Sequence, residues 1–237
     1  MNSNLTCLAL FLLTALSNLC AQEAPPDEHK VRFRTIGWQV SMDDLYYELK
    51  GHDANVFVTE SARSMFYDSP KDKEEIVFYR LVPGTDDKSK KTREVAATVD
   101  ISNAGHMALL LFMTDPASPK LFRVTAVPDD PKSFPFPSCR FINLTKVDLR
   151  ATYGEEKVEV KGRGMALVHP KLKADDKKEI RYTSVSMDAP EGPQLLYSNY
   201  WVARPNLRTL VFISSQEERM SVIRVAEDKC ILFPPTP

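Results

Sequence analysis

Apolar positions along this chain come in short runs with the spacing of β-strands. Val158-Glu159-Val160 alternates apolar and polar side chains, the pattern of a strand with one face buried and one in water. Val56-Phe57-Val58 is apolar throughout, which predicts a strand buried on both faces. Ile76 to Tyr79, Met107 to Met113 and Leu121 to Val127 are further runs rich in Val, Leu, Phe and Ile. Turn-forming clusters separate them: Lys50-Gly51-His52-Asp53, Asp68-Ser69-Pro70, Pro83-Gly84-Thr85-Asp86-Asp87, Ser102-Asn103-Ala104-Gly105 and Asp115-Pro116. No stretch carries the periodicity of an amphipathic helix of three turns. Turns this frequent favour a β-sandwich or barrel over an α/β fold.

The runs recur. Val31-Arg32-Phe33 resembles Cys139-Arg140-Phe141, and Leu45 matches Leu149. Val56 and Val58 match Val158 and Val160, and Ile76 with Phe78 matches Ile180 with Tyr182, each after a Lys/Asp-rich turn. Leu110-Leu111-Phe112 matches Leu210-Val211-Phe212, and Val127 before Asp129-Asp130 matches Val225 before Glu227-Asp228. The order is constant while the offset drifts from 108 to 98, as loop insertions and deletions between duplicated domains would make it. The expected fold is therefore all-β, with two tandem, internally repeated β-sandwich (immunoglobulin-like) domains at 31–128 and 138–233. Between them, 129–137 belongs to a stretch with four prolines, Pro128 to Pro137, which predicts a stiff, extended connector.

The N-terminus departs from this pattern. Leu8 to Leu16 is an apolar run too short to span a bilayer, followed by Ser17, Asn18 and then Cys20-Ala21-Gln22. This reads as a signal peptide over 1–21, cut after Ala21, then a linker over 22–30; 234–237 is a tail. The n-region lacks Lys and Arg, and Leu19 is large for its place before the cut. Acylation at Cys20 is the alternative, disfavoured because Leu19 stands where a small residue is wanted. The mature chain would be secreted or periplasmic, with no transmembrane segment.

Composition narrows the function classes. Hydrophobic residues make up 43% and charged residues 27%, a soluble balance. The 31 Lys+Arg and 32 Asp+Glu are interleaved, which argues against nucleic acid as a partner. Export would remove Cys7 and Cys20, leaving Cys139 and Cys230. In an oxidising compartment a lone pair reads most simply as a disulfide, worth roughly 4–5 kcal/mol for a loop this long. Two separate thiols are the alternative, since each Cys sits in a strand-like run where a small hydrophobe packs.

Several motifs are spread over most of the mature chain: Leu45-Tyr46-Tyr47, Ala62-Arg63-Ser64, and the VFYR strand from Val77 to Arg80. To these are added SxRFINLT from Ser138 to Thr145 and YSNYWxxxPxxRxLVF from Tyr197 to Phe212. In these the chain resembles an uncharacterised family of secreted planctomycete and verrucomicrobial proteins with duplicated β-domains. The resemblance implies an envelope or extracellular location and a pair of β-sandwiches, and no activity. Cys139 departs from the family, where a Tyr or another non-Cys residue is common, so a Cys139–Cys230 bond would be particular to this member.

Chemistry is scarce. No Gly-x-Ser-x-Gly elbow is present, and His29, His52, His106 and His169 sit in turns or the linker with no acid or nucleophile placed beside them. No pair of ligands has zinc spacing, and no His follows Cys230 as a copper site would want. Asp43-Asp44, Asp86-Asp87, Asp129-Asp130 and Asp175-Asp176 form no calcium loop and read as solvated turns. No cofactor is expected. Tyr197, Tyr200 and Trp201, with Arg204, are the residue types that anchor protein or glycan contacts; the competing reading puts Trp201 in the core. The expected function is a non-enzymatic module binding an unidentified protein or polysaccharide. A structural part of a surface assembly is the alternative, and a hydrolase with an acidic pair a distant third.

Overall fold

The computed structural model describes residues 31–60, 62–84, 91–172, 178–216 and 219–232. The predicted signal peptide with Cys20 and its cut after Ala21, the linker with His29, the Asp86-Asp87 and Asp175-Asp176 pairs and the tail lie outside the described residues.

The described chain is all-β, apart from one helical turn, and falls into two similar halves. The first holds β1 (Arg32–Trp38), β2 (Met42–Leu49), β3 (His52–Val58), β4 (Tyr67–Asp68), β5 (Glu75–Pro83), β6 (Lys91–Asp100), β7 (Met107–Thr114) and β8 (Phe122–Pro128). The second holds β9 (Ser138–Asn143), β10 (Leu149–Tyr153), β11 (Glu156–Val160), β12 (Met165–Val168), β13 (Glu179–Ala189), β14 (Gly192–Ala203), β15 (Leu207–Gln216) and β16 (Arg219–Asp228), then α1 (Lys229–Leu232). Sheets ordered β4-β1-β7-β8 and β3-β2-β5-β6 form the first half; β12-β9-β15-β16 and β11-β10-β13-β14 repeat that order in the second. The one parallel pairing of each half also repeats, β1 with β7 and β9 with β15. A bulge falls at the same place in the long hairpin of each half, after Phe78 in β5 and after Val185 in β13.

The strand ladders fix which residues are equivalent, and they move several of the sequence matches. Arg34 faces Leu109 across β1 and β7 as Arg140 faces Leu210 across β9 and β15, so Phe33 corresponds to Cys139 and Arg34 to Arg140. Leu45 opposite Val56 corresponds to Leu149 opposite Val160. The bulges align Phe78 with Val185, so pairing Ile76 and Phe78 with Ile180 and Tyr182 was out of step by an odd number of residues. Side chains alternate between faces along a strand, and an odd slip exchanges inside for outside. Ile76 and Phe78 are buried, whereas Ile180 and Tyr182 are exposed.

Three apolar clusters stack the four sheets. Phe33, Leu110 and Phe112 meet Leu45, Tyr47 and Phe78 inside the first sandwich. Phe141, Val211 and Ile213 meet Leu149, Tyr153 and Trp201 inside the second. Between the sandwiches, Ile36, Leu109, Leu111 and Val127 pack against Ile142, Leu210, Phe212 and Val225. Each residue of the first set is the ladder equivalent of one in the second, so the two halves meet through the same surface. The strands buried on both faces are consequently those of the middle layers: β7 from Ala108 to Phe112 and β9 throughout. β3 is not among them, because it lies in an outer layer; Val56 and Val58 are buried while Phe57 is 49% exposed.

The proline-rich segment is packed rather than extended. The Asp130 side chain accepts hydrogen bonds from the Lys132 and Ser133 amides, and the Phe134 amide closes on the Asp130 carbonyl at 2.8 Å. That turn inserts the fully buried Phe134 into the cluster between the halves.

Candidate functional site

The junction between the halves has two ends, and they differ. Both halves bring the starts of their parallel strands and the last residues of β8 and β16 to one end. There Arg34 on β1 and Arg208 on β15 meet Asp129, just past β8, and Glu227 on β16. Arg34 bonds both carboxylates. Arg208 reaches Glu227 at 2.6 and 2.7 Å and Asp129 at 3.2 Å, and donates to the Asp129 and Phe134 carbonyls at 2.9 Å. Arg63, from the loop between β3 and β4, lies 3.7 and 3.8 Å from the same carboxylates, too long for hydrogen bonds. Arg140 uses the Pro128 and Ser133 carbonyls instead, and it and Arg208 stack on Phe134 with their carbons 4.5 and 4.7 Å from the ring centre.

These charges are almost wholly out of water: Arg208 is 0%, Asp129 1% and Glu227 3% exposed. Burial alone would raise the Glu227 carboxyl, but the Arg34 hydrogen bond and the charges of Arg63, Arg208 and Arg34 outweigh it and hold the group at about 2. Burial lowers Arg63 to about 10 despite Asp129 and Glu227. Asp129 is thus no solvated turn, as its sequence had suggested. The cluster is a structural lock sealed from solvent.

At the other end the strands finish, and the junction is open. Trp38 ends β1, Met113 and Thr114 end β7, and Ser214 and Ser215 lie near the end of β15. A hollow of about 390 Å³ runs from Phe122 and Val124 to Met165, and another of about 720 Å³ runs from Trp38 to Met187 and Met220. Met113, Arg123, Leu144 and Arg163 line both, so the two form one groove. Each hollow is of a size found in small-molecule sites. Ladder equivalence gives a reason for the opening. Ser214 occupies the position of Met113, and a small side chain there leaves the interface unfilled on one side.

The groove's charged groups are unengaged. Neither hollow is lined by a carboxylate, while Arg123, Lys146 and Arg163 all line the larger one. Their side chains are exposed and have no ion-pair or hydrogen-bond partner among the described residues. Ser214 is 7% exposed, and its hydroxyl also lacks a partner there. A contrasting hollow of about 640 Å³ on the first half is lined by Glu48, Lys73, Glu74, Glu75 and Arg93. Its arginine is already spent, bonding Glu48 and Asp53 at 2.6 Å each.

The residues singled out from the sequence do not assemble into one surface. Trp201 is 5% exposed and packs in the second core against Tyr153 and Tyr197, with ring centres 6.4 and 6.0 Å away. Tyr197 is half-buried and Arg204 exposed. Tyr200 points the other way, 69% exposed, with its ring centre 5.5 Å from that of Tyr182. Adjacent strand residues face opposite sides, so Tyr200 and Trp201 cannot share a contact.

The expected disulfide is not formed: Cys139 and Cys230 are free thiols. Cys139 is buried in the second core on β9, whereas Cys230 is exposed just beyond β16, two strands away in the sheet. Two strand spacings are about 10 Å, beyond the roughly 7 Å that Cα atoms can span in a disulfide. Burial pushes the Cys139 thiol up, leaving it protonated and inert. His52, His106 and His169 are exposed. Among the described residues, no cluster of three or more His, Cys, Asp or Glu could hold a metal, and no helix is long and apolar enough to cross a membrane.

No protein-family model and no curated protein matches the chain. Among solved structures, the crystal structure of a "putative cell adhesion protein" from Bacteroides uniformis aligns with 86% of this chain and 100% of its own, at 11% identity and a TM-score of 0.25. A likeness that slight bears on neither the fold nor the function.

Proposed function

We propose that the protein is a non-catalytic binding module, exported to the envelope or beyond, that holds its ligand in the groove at the open end of the junction. The observation that carries this reading is the set of unengaged polar groups around one apolar groove. A buried hydroxyl is ordinarily hydrogen-bonded; that of Ser214 is left for something else, and three exposed cations stand around it with no acid among them. The closed end supports the reading by making the two sandwiches a single rigid platform, which avoids an ordering cost on binding. The N-terminal apolar run supports export.

The groove contains its own reporters: Met113, Met165, Met187 and Met220 line it, while Met42, Met65 and Met107 lie elsewhere. Titrating a library of small apolar fragments into protein with ¹³C-methyl methionine is expected to shift the four groove methyls together. Fragments that shift only Met42, Met65 or Met107, or none of the seven, would place the binding surface elsewhere and overturn the reading.

A further inference from the structure

The groove's chemistry is one-sided, and this selects among ligands. Its floor is apolar and adaptable: Trp38 and Leu144 from the two halves, with four methionines around them. Methionine's flexible thioether fits irregular apolar shapes, and methionine-rich surfaces adapt to varied apolar partners, a flexible unbranched chain among them. Its charges are all cationic. Arg123 lies near the start of β8, and Arg163 is in the turn before β12, where a left-handed backbone (φ 58°) sets the turn. Both line both hollows, and Lys146 stands beside the larger. Uncompensated guanidinium groups over an apolar floor disfavour a cation, leave a neutral molecule indifferent, and offer an anion charge-assisted hydrogen bonds. The buried Ser214 hydroxyl, on the same face of β15 as Leu210 and Phe212, adds an unpaired group that can donate to the same head.

We infer that the groove takes a small amphipathic anion, its single charged head held by Arg123 and Arg163 and its unbranched apolar body laid along the methionines. The inference rests on the reading of the groove as the binding site and adds the class of ligand.

The test compares octanoate, octanol and octylammonium, three probes with one tail and different heads, followed by the same ¹³C-methyl methionine resonances of the full mature protein. Octanoate is expected to shift the Met113, Met165, Met187 and Met220 methyls with a Kd about tenfold or more below those of the other two, as one charge-assisted contact would give. In the double variant Arg123→Gln, Arg163→Gln that preference should vanish while octanol binding is kept, which also shows that the variant is folded. Equal binding of octanol and octanoate at the four methyls would overturn the anionic head and leave the groove as the site. Absence of any shift there, with all three probes, would overturn both. A short N-acetylated peptide ending in leucine offers the same carboxylate from a protein chain. If it binds these methyls more tightly than octanoate does, the occupant is a chain terminus and the small amphiphile is overturned.

Discussion

The two ends of the junction are made from opposite ends of the same strands, yet one is sealed and the other open. At the sealed end two acids at equivalent positions, Asp129 and Glu227, are shared among three arginines with almost no water. At the open end equivalence breaks down. Met113 is matched by Ser214, Trp38 by Leu144 and Arg123 by Ser221, so the surfaces no longer complement each other and a groove remains. Departures from symmetry therefore act in opposite ways at the two ends: Arg208 in place of Met107 completes the sealed cluster, whereas Ser214 in place of Met113 leaves room for something else.

The comparison can be broken most forcefully at the sealed end. Glu227→Gln leaves three buried arginines with one carboxylate. Its expected cost is about 3–5 kcal/mol, as for breaking other buried ion pairs, read as a lower denaturant midpoint. A loss below about 1 kcal/mol, the size of an exposed ion pair, would show that the cluster does not hold the halves together.

Acid titration probes the same end more gently. The folded Glu227 carboxyl titrates at about 2, below its ordinary 4.5. A depressed acid contributes stability that is fully present above the unfolded value and is lost as pH falls toward the folded one. Unfolding free energy should therefore decline between about pH 4.5 and 2, and the decline should be shallower in Glu227→Gln. Parallel curves for the two proteins would show that other groups set the acid limit.

The smallest effect is expected at the open end. Ser214→Ala removes a buried hydroxyl with no partner, so stability should stay within about 0.5 kcal/mol of the parent or rise slightly. A loss of more than about 1 kcal/mol would mean that the hydroxyl is bonded within the fold, and the contrast between the two ends would weaken.

Much of this was legible in the chain. Strand-length runs and regular turns gave the all-β class, and the recurring blocks gave the duplication. The match of Val127 and Asp129 with Val225 and Glu227 already held the two acids of the sealed end. Arg63, Arg140 and Arg208 stood in motifs noted for other reasons. Their meeting was not legible, because each lies in a different segment and only the packing of one sandwich on the other brings them together. The Tyr197-to-Arg204 cluster misled for the converse reason. Its members are neighbours in sequence, but a strand sends Tyr200 and Trp201 to opposite faces.

The sequence by itself determined the local rules: where strands begin and end, which blocks are copies, and the period-two alternation that gives each strand two faces. Which face is buried was settled only in three dimensions. Phe57, in an apolar run, is exposed because its sheet is an outer layer, and Arg208 is sealed from water because its sheet is a middle one. Burial is a property of what is stacked above a surface, and the stacking of four sheets joins residues far apart in the chain. The closing of one end by charge and the opening of the other by a serine in place of a methionine belong to that same level.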